Sequence, residues 1–508
     1  MKKIYALFPL LGLLFIACSD DDDATTPTTP DPDPVVITSG TANFSNYVSL
    51  GNSLTAGFSD NALFIAGQEA SFPNMLASNF ALAGGGSFSI PFMADNLGGA
   101  TINGISDANM DGIPDIGNRL FLAFTADGPS PTPVPGEGTT EITQKLTGSF
   151  NNMGVPGAKS YELLAEGYGS IAGLAVGAAN PYFVRFSSSE SASVLGDAAA
   201  QNATFFSLWI GSNDILLYAT NGGSGVDQTG NLDPATYGRN DITDPNVLAG
   251  AIQGILQTMT AGGAGGVVAN LPDVTDIPFF TTVPFNPVPL DEATAAALNA
   301  AYAAYNGGLQ LAFAGNAIDA DELAARTITF AAGDTNAPVM IDEDLTDLTG
   351  LNPALINLRQ TNADDLLTLT SSSFIGTLAN PADPTSANGL AVPLGDQWVL
   401  TPQEQEAVST ALAAYNQSIE ALANQFGLAF VDANALLADL NANGLPLADG
   451  SVVTSTFATG GGFSLDGVHP APRGYAILAN AFVEAINTTY GSNLPGVNPL
   501  DFTGLYID

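Results

Sequence analysis

This sequence predicts an α/β fold in which a mainly parallel sheet is covered by helices on both faces. Three observations carry that expectation. Apolar runs of strand length recur: Tyr47-Val48-Ser49-Leu50, Thr204 to Ile210, Val267-Val268-Ala269-Asn270 and Leu428 to Val431. Between them lie Ala- and Leu-rich stretches with helix-start signals, and strands alternating with helices are what a doubly covered parallel sheet requires. Glycine and polar residues follow several of the strands, where such a sheet places its ligand crevice.

Length and composition bound the rest. Of the 508 residues 46% are hydrophobic, enough for a sizeable core in one elaborated domain or more. Only ten are Lys or Arg, and the formal charge is -40. A field of that sign repels phosphate backbones and anionic bilayers, so nucleic acid is excluded as a partner.

The N-terminus reads as a secretory signal over residues 1–17: Lys2 and Lys3, then an apolar run from Ile4 to Ala17 too short to span a bilayer. Phe15-Ile16-Ala17-Cys18 resembles a bacterial lipobox, in which cleavage precedes a cysteine that is then lipidated. Cys18 is the only cysteine, so it excludes an intrachain disulfide and points to an anchor in the membrane. Removing residues 1–17 takes away two lysines and no acid, which moves the charge from -40 to -42. Asp20 to Asp23 and a Thr/Pro/Asp-rich run then make residues 18–40 an extended, solvated tether. The run resembles the acidic export signals of outer-membrane lipoproteins displayed at the cell surface.

In chain order, the strand at Tyr47 leads into the glycine-bracketed turn Gly51-Asn52-Ser53-Leu54. Residues from about 60 to 150, with prolines at 129, 131, 133 and 135, read as an insertion of loops with little regular structure. Asn152 to Gly157 reads as a second tight turn, followed by a helical stretch near Ser160. The Thr204 strand ends in Gly211-Ser212-Asn213-Asp214, where Asp214 reads as a cap or turn former. Thr401-Pro402-Gln403-Glu404 is a capping box opening a helix that runs towards Phe426, and a last helix starts near Pro472. Residues from about 310 to 400 read as a second insertion, placed to border an active site. Residues 491–508 form a tail.

Asp107, Asn109, Asp111, Gly112 and Asp115 repeat the opening of a calcium loop, although the twelfth position carries Asn118 instead of a bidentate Glu. Asp439 to Gly444 is a fainter echo. Calcium at either place would be structural. One histidine and one cysteine leave no ligand set for zinc, iron or cobalt.

That histidine, His469, is the only imidazole available to take and return a proton near neutrality. Asp466 precedes it by three residues across Gly467, a spacing that lets a carboxylate fix the imidazole tautomer. Ser53 after the first strand, Gly157 after the second turn and Asn213 after the Thr204 strand supply a nucleophile and oxyanion donors. These are the parts of acyl transfer. No G-x-S-x-G elbow occurs, which argues against the ordinary α/β-hydrolase arrangement.

Gly51-Asn52-Ser53-Leu54, Gly157, Gly211-Ser212-Asn213-Asp214 and Asp466-Gly467-Val468-His469-Pro470 resemble, in this order, the four blocks of the SGNH (GDSL) hydrolase superfamily. The resemblance implies a flavodoxin-like three-layer α/β/α fold over residues 41–490 and an esterase or lipase acting on lipids or acylated glycans without a cofactor. Ser53 would be the nucleophile, His469 the general base and Asp466 its orienting acid. The Ser53 and Gly157 N–H groups and the Asn213 amide would form the oxyanion hole. Asn52 departs from the Asp usual in the first block, and Gly154 is an alternative to Gly157. Two other functions use the same scaffold: acyl transfer to a sugar, and a binding protein that has lost the chemistry.

Overall fold

The computed structural model describes residues 36–107, 110–125 and 128–507. Cys18, the signal stretch, the tether up to residue 35 and Asn109 lie outside the described residues. Five parallel strands make the central sheet: β1 (Tyr47–Gly51), β2 (Asn152–Gly154), β3 (Phe205–Trp209), β4 (Gly265–Ala269) and β5 (Ala429–Val431). Their spatial order is β2-β1-β3-β4-β5, and all four pairings are parallel. This is the flavodoxin-like doubly wound order, whose connections change direction between β1 and β3. Ser53 follows β1 and Asn213 follows β3, so both stand at that switch point.

The pleat sorts the side chains. Tyr47, Phe205 and Trp209 share one face by their odd positions. There they meet Phe72 and Phe80 of α2 (Phe72–Leu82) and Phe482 of α8 (Pro472–Tyr490), with the Phe72 and Phe482 rings stacked at 4.6 Å. Phe206 and Leu208 point to the other face, covered by α4 (Pro245–Thr260) and α6 (Pro402–Gln425). All of these strand residues are essentially unexposed. Burial of that extent stabilises by about 2 kcal/mol for each large apolar side chain.

Four local expectations are corrected. Residues 60–150 are not all loops: Phe72, Met75, Leu76 and Phe80 recur at helical spacing and form the buried stripe of α2. The proline cluster belongs to a hairpin, Leu120–Thr125 against Gly128–Pro133. Pro129, Pro131 and Pro133 occupy alternate positions, so the missing N–H groups all fall on one edge of a two-stranded ribbon and cost no ladder bond. Residues 152–154 are an edge strand and not part of a turn, while the stretch after Ser160 is only a 3₁₀ turn, Tyr161–Leu164. The echo at Asp439 to Asn443 is helical, inside α7 (Ala433–Asn443), where Asn443 Nδ2 donates to Asp439 Oδ1 at 2.6 Å, so no loop exists there to wrap an ion.

The later insertion has its own apolar cluster around α5 (Glu292–Ala314), with Tyr302, Tyr305, Leu309 and Leu358 buried. Its weak periodicity has a reason. Much of it is pinned by buried arginines: Arg326 donates to the Thr346 and Ile356 carbonyls, and Arg359 pairs with Asp342 and Asp365. No described helix is long and apolar enough to cross a membrane.

Candidate active site

β1 ends at a glycine because nothing larger fits: a Cβ at Gly51 would lie 2.1 Å from Thr55 Oγ1 and 2.3 Å from the Trp209 carbonyl. Asn52 then caps the short helix α1 (Ser53–Ala56), its Oδ1 accepting the Leu54 N–H at 3.0 Å. An amide oxygen therefore performs the capping that an Asp would perform. Ser53 opens the helix, 6% exposed, with its hydroxyl 2.9 Å from His469 Nε2.

His469 comes from a loop closed by its own backbone. The Ser464 N–H donates to the His469 carbonyl at 2.8 Å, and Gly467 turns the chain at a φ of 71°. A Cβ at Gly467 would meet Leu369 of the later insertion at 2.8 Å. Asp466 Oδ2 lies 2.9 Å from His469 Nδ1. The same carboxylate accepts the N–H groups of Asn61, Val468 and His469 and the Ser464 hydroxyl. Burial works against its ionisation, but the facing imidazole and these donors prevail and hold Asp466 down to about 2. Phe58 packs against the imidazole with ring centres 4.7 Å apart.

The second and third blocks are tied to each other. Asn213, 4% exposed, donates from Nδ2 to the Ala158 carbonyl at 2.9 Å, leaving the second amide hydrogen uncommitted. Asp214 accepts both the N–H and the hydroxyl of Ser160 at 2.8 Å, so it clamps the loop of Gly157 as well as beginning α3 (Asn213–Thr220). Gly157 adopts a φ of 79°, and Arg239 donates to its carbonyl. Gly154 is differently employed. It pairs with Gly51 inside the sheet, its N–H donates to Asn152 Oδ1 at 2.9 Å, and a Cβ would strike Ala56.

In the first insertion, Asp107 accepts the N–H groups of Asp111 and Gly112, and Asp111 accepts that of Ile113. These carboxylates shape the turn. Asp115 donates its N–H to the Ser106 carbonyl.

Between α7 and α8 a cleft of ≈ 980 Å³, including its open mouth, leads to Ser53 and His469. Val274, Ile277, Leu436, Leu440 and Leu478 line it, and nearly all of its wall is apolar. The sequence does not single these residues out, because a leucine that faces a cleft and one that faces the core have the same helical spacing.

The sequence matches no family model and no curated protein. Among solved structures the chain is similar to a candidate GDSL-like lipase from Parabacteroides merdae, at 10% identity over 89% of this chain and 99% of that one. The TM-score is 0.30, a likeness too slight to bear on fold or chemistry.

Asp60 is a neighbour of the site with no sequence signal. It is 1% exposed, its Oδ1 accepts the Leu465 N–H at 2.8 Å and its N–H donates to the Ser464 hydroxyl. Burial, with Asp466 beside it, pushes Asp60 up to about 7. A carboxyl raised in the fold favours folding when protonated, so its contribution is full below about pH 4 and is lost as pH rises towards 7. Asp60→Asn should therefore gain on the wild type in thermal stability steadily between pH 4 and pH 8, by up to about 4 kcal/mol. Parallel melting curves across that range would show that Asp60 is not raised.

Proposed function

We propose that this chain is a serine ester hydrolase of the GDSL type that cleaves esters carrying an apolar acyl chain. The observation that carries this reading is the continuous Ser53–His469–Asp466 hydrogen-bonded line opening into an apolar cleft. His469 takes the Ser53 proton as the hydroxyl attacks the ester carbonyl, and Asp466 stabilises the imidazolium so formed. The Ser53 and Gly157 N–H groups and the free Asn213 amide hydrogen hold the oxyanion. His469 then protonates the leaving alcohol, and water repeats the cycle on the acyl-enzyme. Gly157 suits this role better than Gly154, whose N–H is already used. The cleft favours lipid acyl chains over acetylated glycans. The resemblance of Phe15 to Cys18 to a lipobox, with the acidic tether after it, supports a location at the outer membrane, facing the cell exterior.

The test is a series of nitrophenyl esters from acetate through butyrate and octanoate to palmitate, with mass spectrometry of the protein after an alkyl fluorophosphonate. The phosphonyl adduct should appear on Ser53. Each methylene that enters the cleft should raise kcat/KM by about threefold to fourfold until the cleft is full. Leu440→Trp should remove most of that gain while sparing the acetate ester. Equal rates along the series would overturn the acyl-chain assignment, and labelling elsewhere would overturn the serine.

A further inference from the structure

Three carboxylates from three separate stretches converge far from Ser53 in sequence: Glu343 of the later insertion, Asp396, and Glu404 in the first turn of α6. One oxygen of each lies within 4.8 Å of the other two. None of them takes part in a salt bridge among the described residues. Like charges so close repel unless a proton or a cation stands between them.

Glu404 supplies an independent observation. It is 6% exposed, and its Oε2 accepts the Thr401 N–H in the capping box. Its Oε1 is buried with no hydrogen-bond partner. A carboxylate oxygen in that state is costly, and a bound ion is one of the few things that explain it. The wall behind it is bare backbone. A Cβ at Gly223 would fall 2.0 Å from that Oε1, and one at Gly222 would fall 1.9 Å from the Asp396 carbonyl. Both glycines have positive φ and follow Asn221, the C-cap of α3, whose C-terminal end carries the negative pole of the helix dipole.

We propose that Glu343, Asp396 and Glu404 bind a divalent cation of the calcium class. The donors are all carboxylate oxygens, which suit a hard ion, with no imidazole or thiolate among them to select zinc or copper. Glu343 is exposed, so one side stays open for water ligands, which calcium accepts in an irregular shell. Burial and the neighbouring acids push Glu404 up to about 8, and burial with Glu343 and its neighbours pushes Asp396 up to about 6. A cation would fasten the later insertion to the start of α6 and to the end of α3, the helix that begins with Asn213.

The experiment uses the full chain stripped with a chelator, and it reads metal binding and melting instead of turnover. Calcium at millimolar concentration should raise Tm by a few degrees. Terbium in its place should emit on tyrosine excitation through the buried Tyr218, which feels all three carboxylates. Glu343→Gln with Asp396→Asn should lower calcium affinity at least about tenfold, since each removes one charged ligand. The same double variant should melt higher than the wild type without calcium, because it relieves the repulsion, and this separates loss of a ligand from failure to fold. Asp107→Asn with Asp111→Asn should leave the calcium response intact. The proposal is overturned if calcium has no effect on the wild type, or if the Glu343/Asp396 variant keeps the full response.

Discussion

Ser53→Ala should abolish ester turnover, with kcat falling by about 10⁴-fold or more while the protein folds and melts as before. Ser53 lies just beyond the C-terminal end of β1 and its hydroxyl makes one side-chain bond, to His469 Nε2, so its loss leaves no partner stranded in the core. His469→Ala should cost about as much, and the double variant little more, because nucleophile and base act in one step. Turnover of octanoate ester by all three proteins measures this directly. Retained activity in Ser53→Ala would remove the ester hydrolase reading and leave the binding function.

Asp466→Asn is the second large effect, with an expected loss of about 10⁴-fold in kcat. Five donors converge on this carboxylate: the N–H groups of Asn61, Val468 and His469, the Ser464 hydroxyl and the imidazole Nδ1–H. An amide has only one oxygen to offer them, so its NH₂ must face either backbone donors or the imidazole. The histidine is then driven to the wrong tautomer. The same variant carries a stability signature. Because the fold holds Asp466 down to about 2, its ionised form contributes stability above about pH 4, and that contribution is lost as pH falls through 2. Acid unfolding of the wild type should therefore show a steeper loss between pH 4 and pH 2 than unfolding of Asp466→Asn. Equal slopes would mean that the carboxylate is not held ionised by its neighbours.

Much of the site was legible because its residues sit in short contiguous blocks. Gly51 to Leu54 is a strand end and a helix start in four residues, and Asp466 to His469 is a complete acid–base pair in four more. Gly154 and Gly157 could not be separated in that way, since both are glycines near a turn. The tertiary structure distinguishes them by what each N–H already does. α2 was obscured for a different reason: its apolar stripe of Phe72, Met75, Leu76 and Phe80 is short and lies between glycine- and proline-rich segments whose composition reads as loop.

What the sequence determined by itself was the parallel α/β class, from fully apolar strands separated by helices, and the pairing of the only histidine, His469, with Asp466, from their spacing. Both depend on contacts within a few residues. Only the tertiary structure decided the rest. The order β2-β1-β3-β4-β5 brings residues 53, 213 and 469 to one switch point, Asp60 turns in beneath Asp466 from some 400 residues away, and α7 and α8 leave an apolar cleft between them. Glu343, Asp396 and Glu404 meet for the same reason. Proximity between distant stretches is set by how helices pack on the sheet, and no local pattern of residues encodes it.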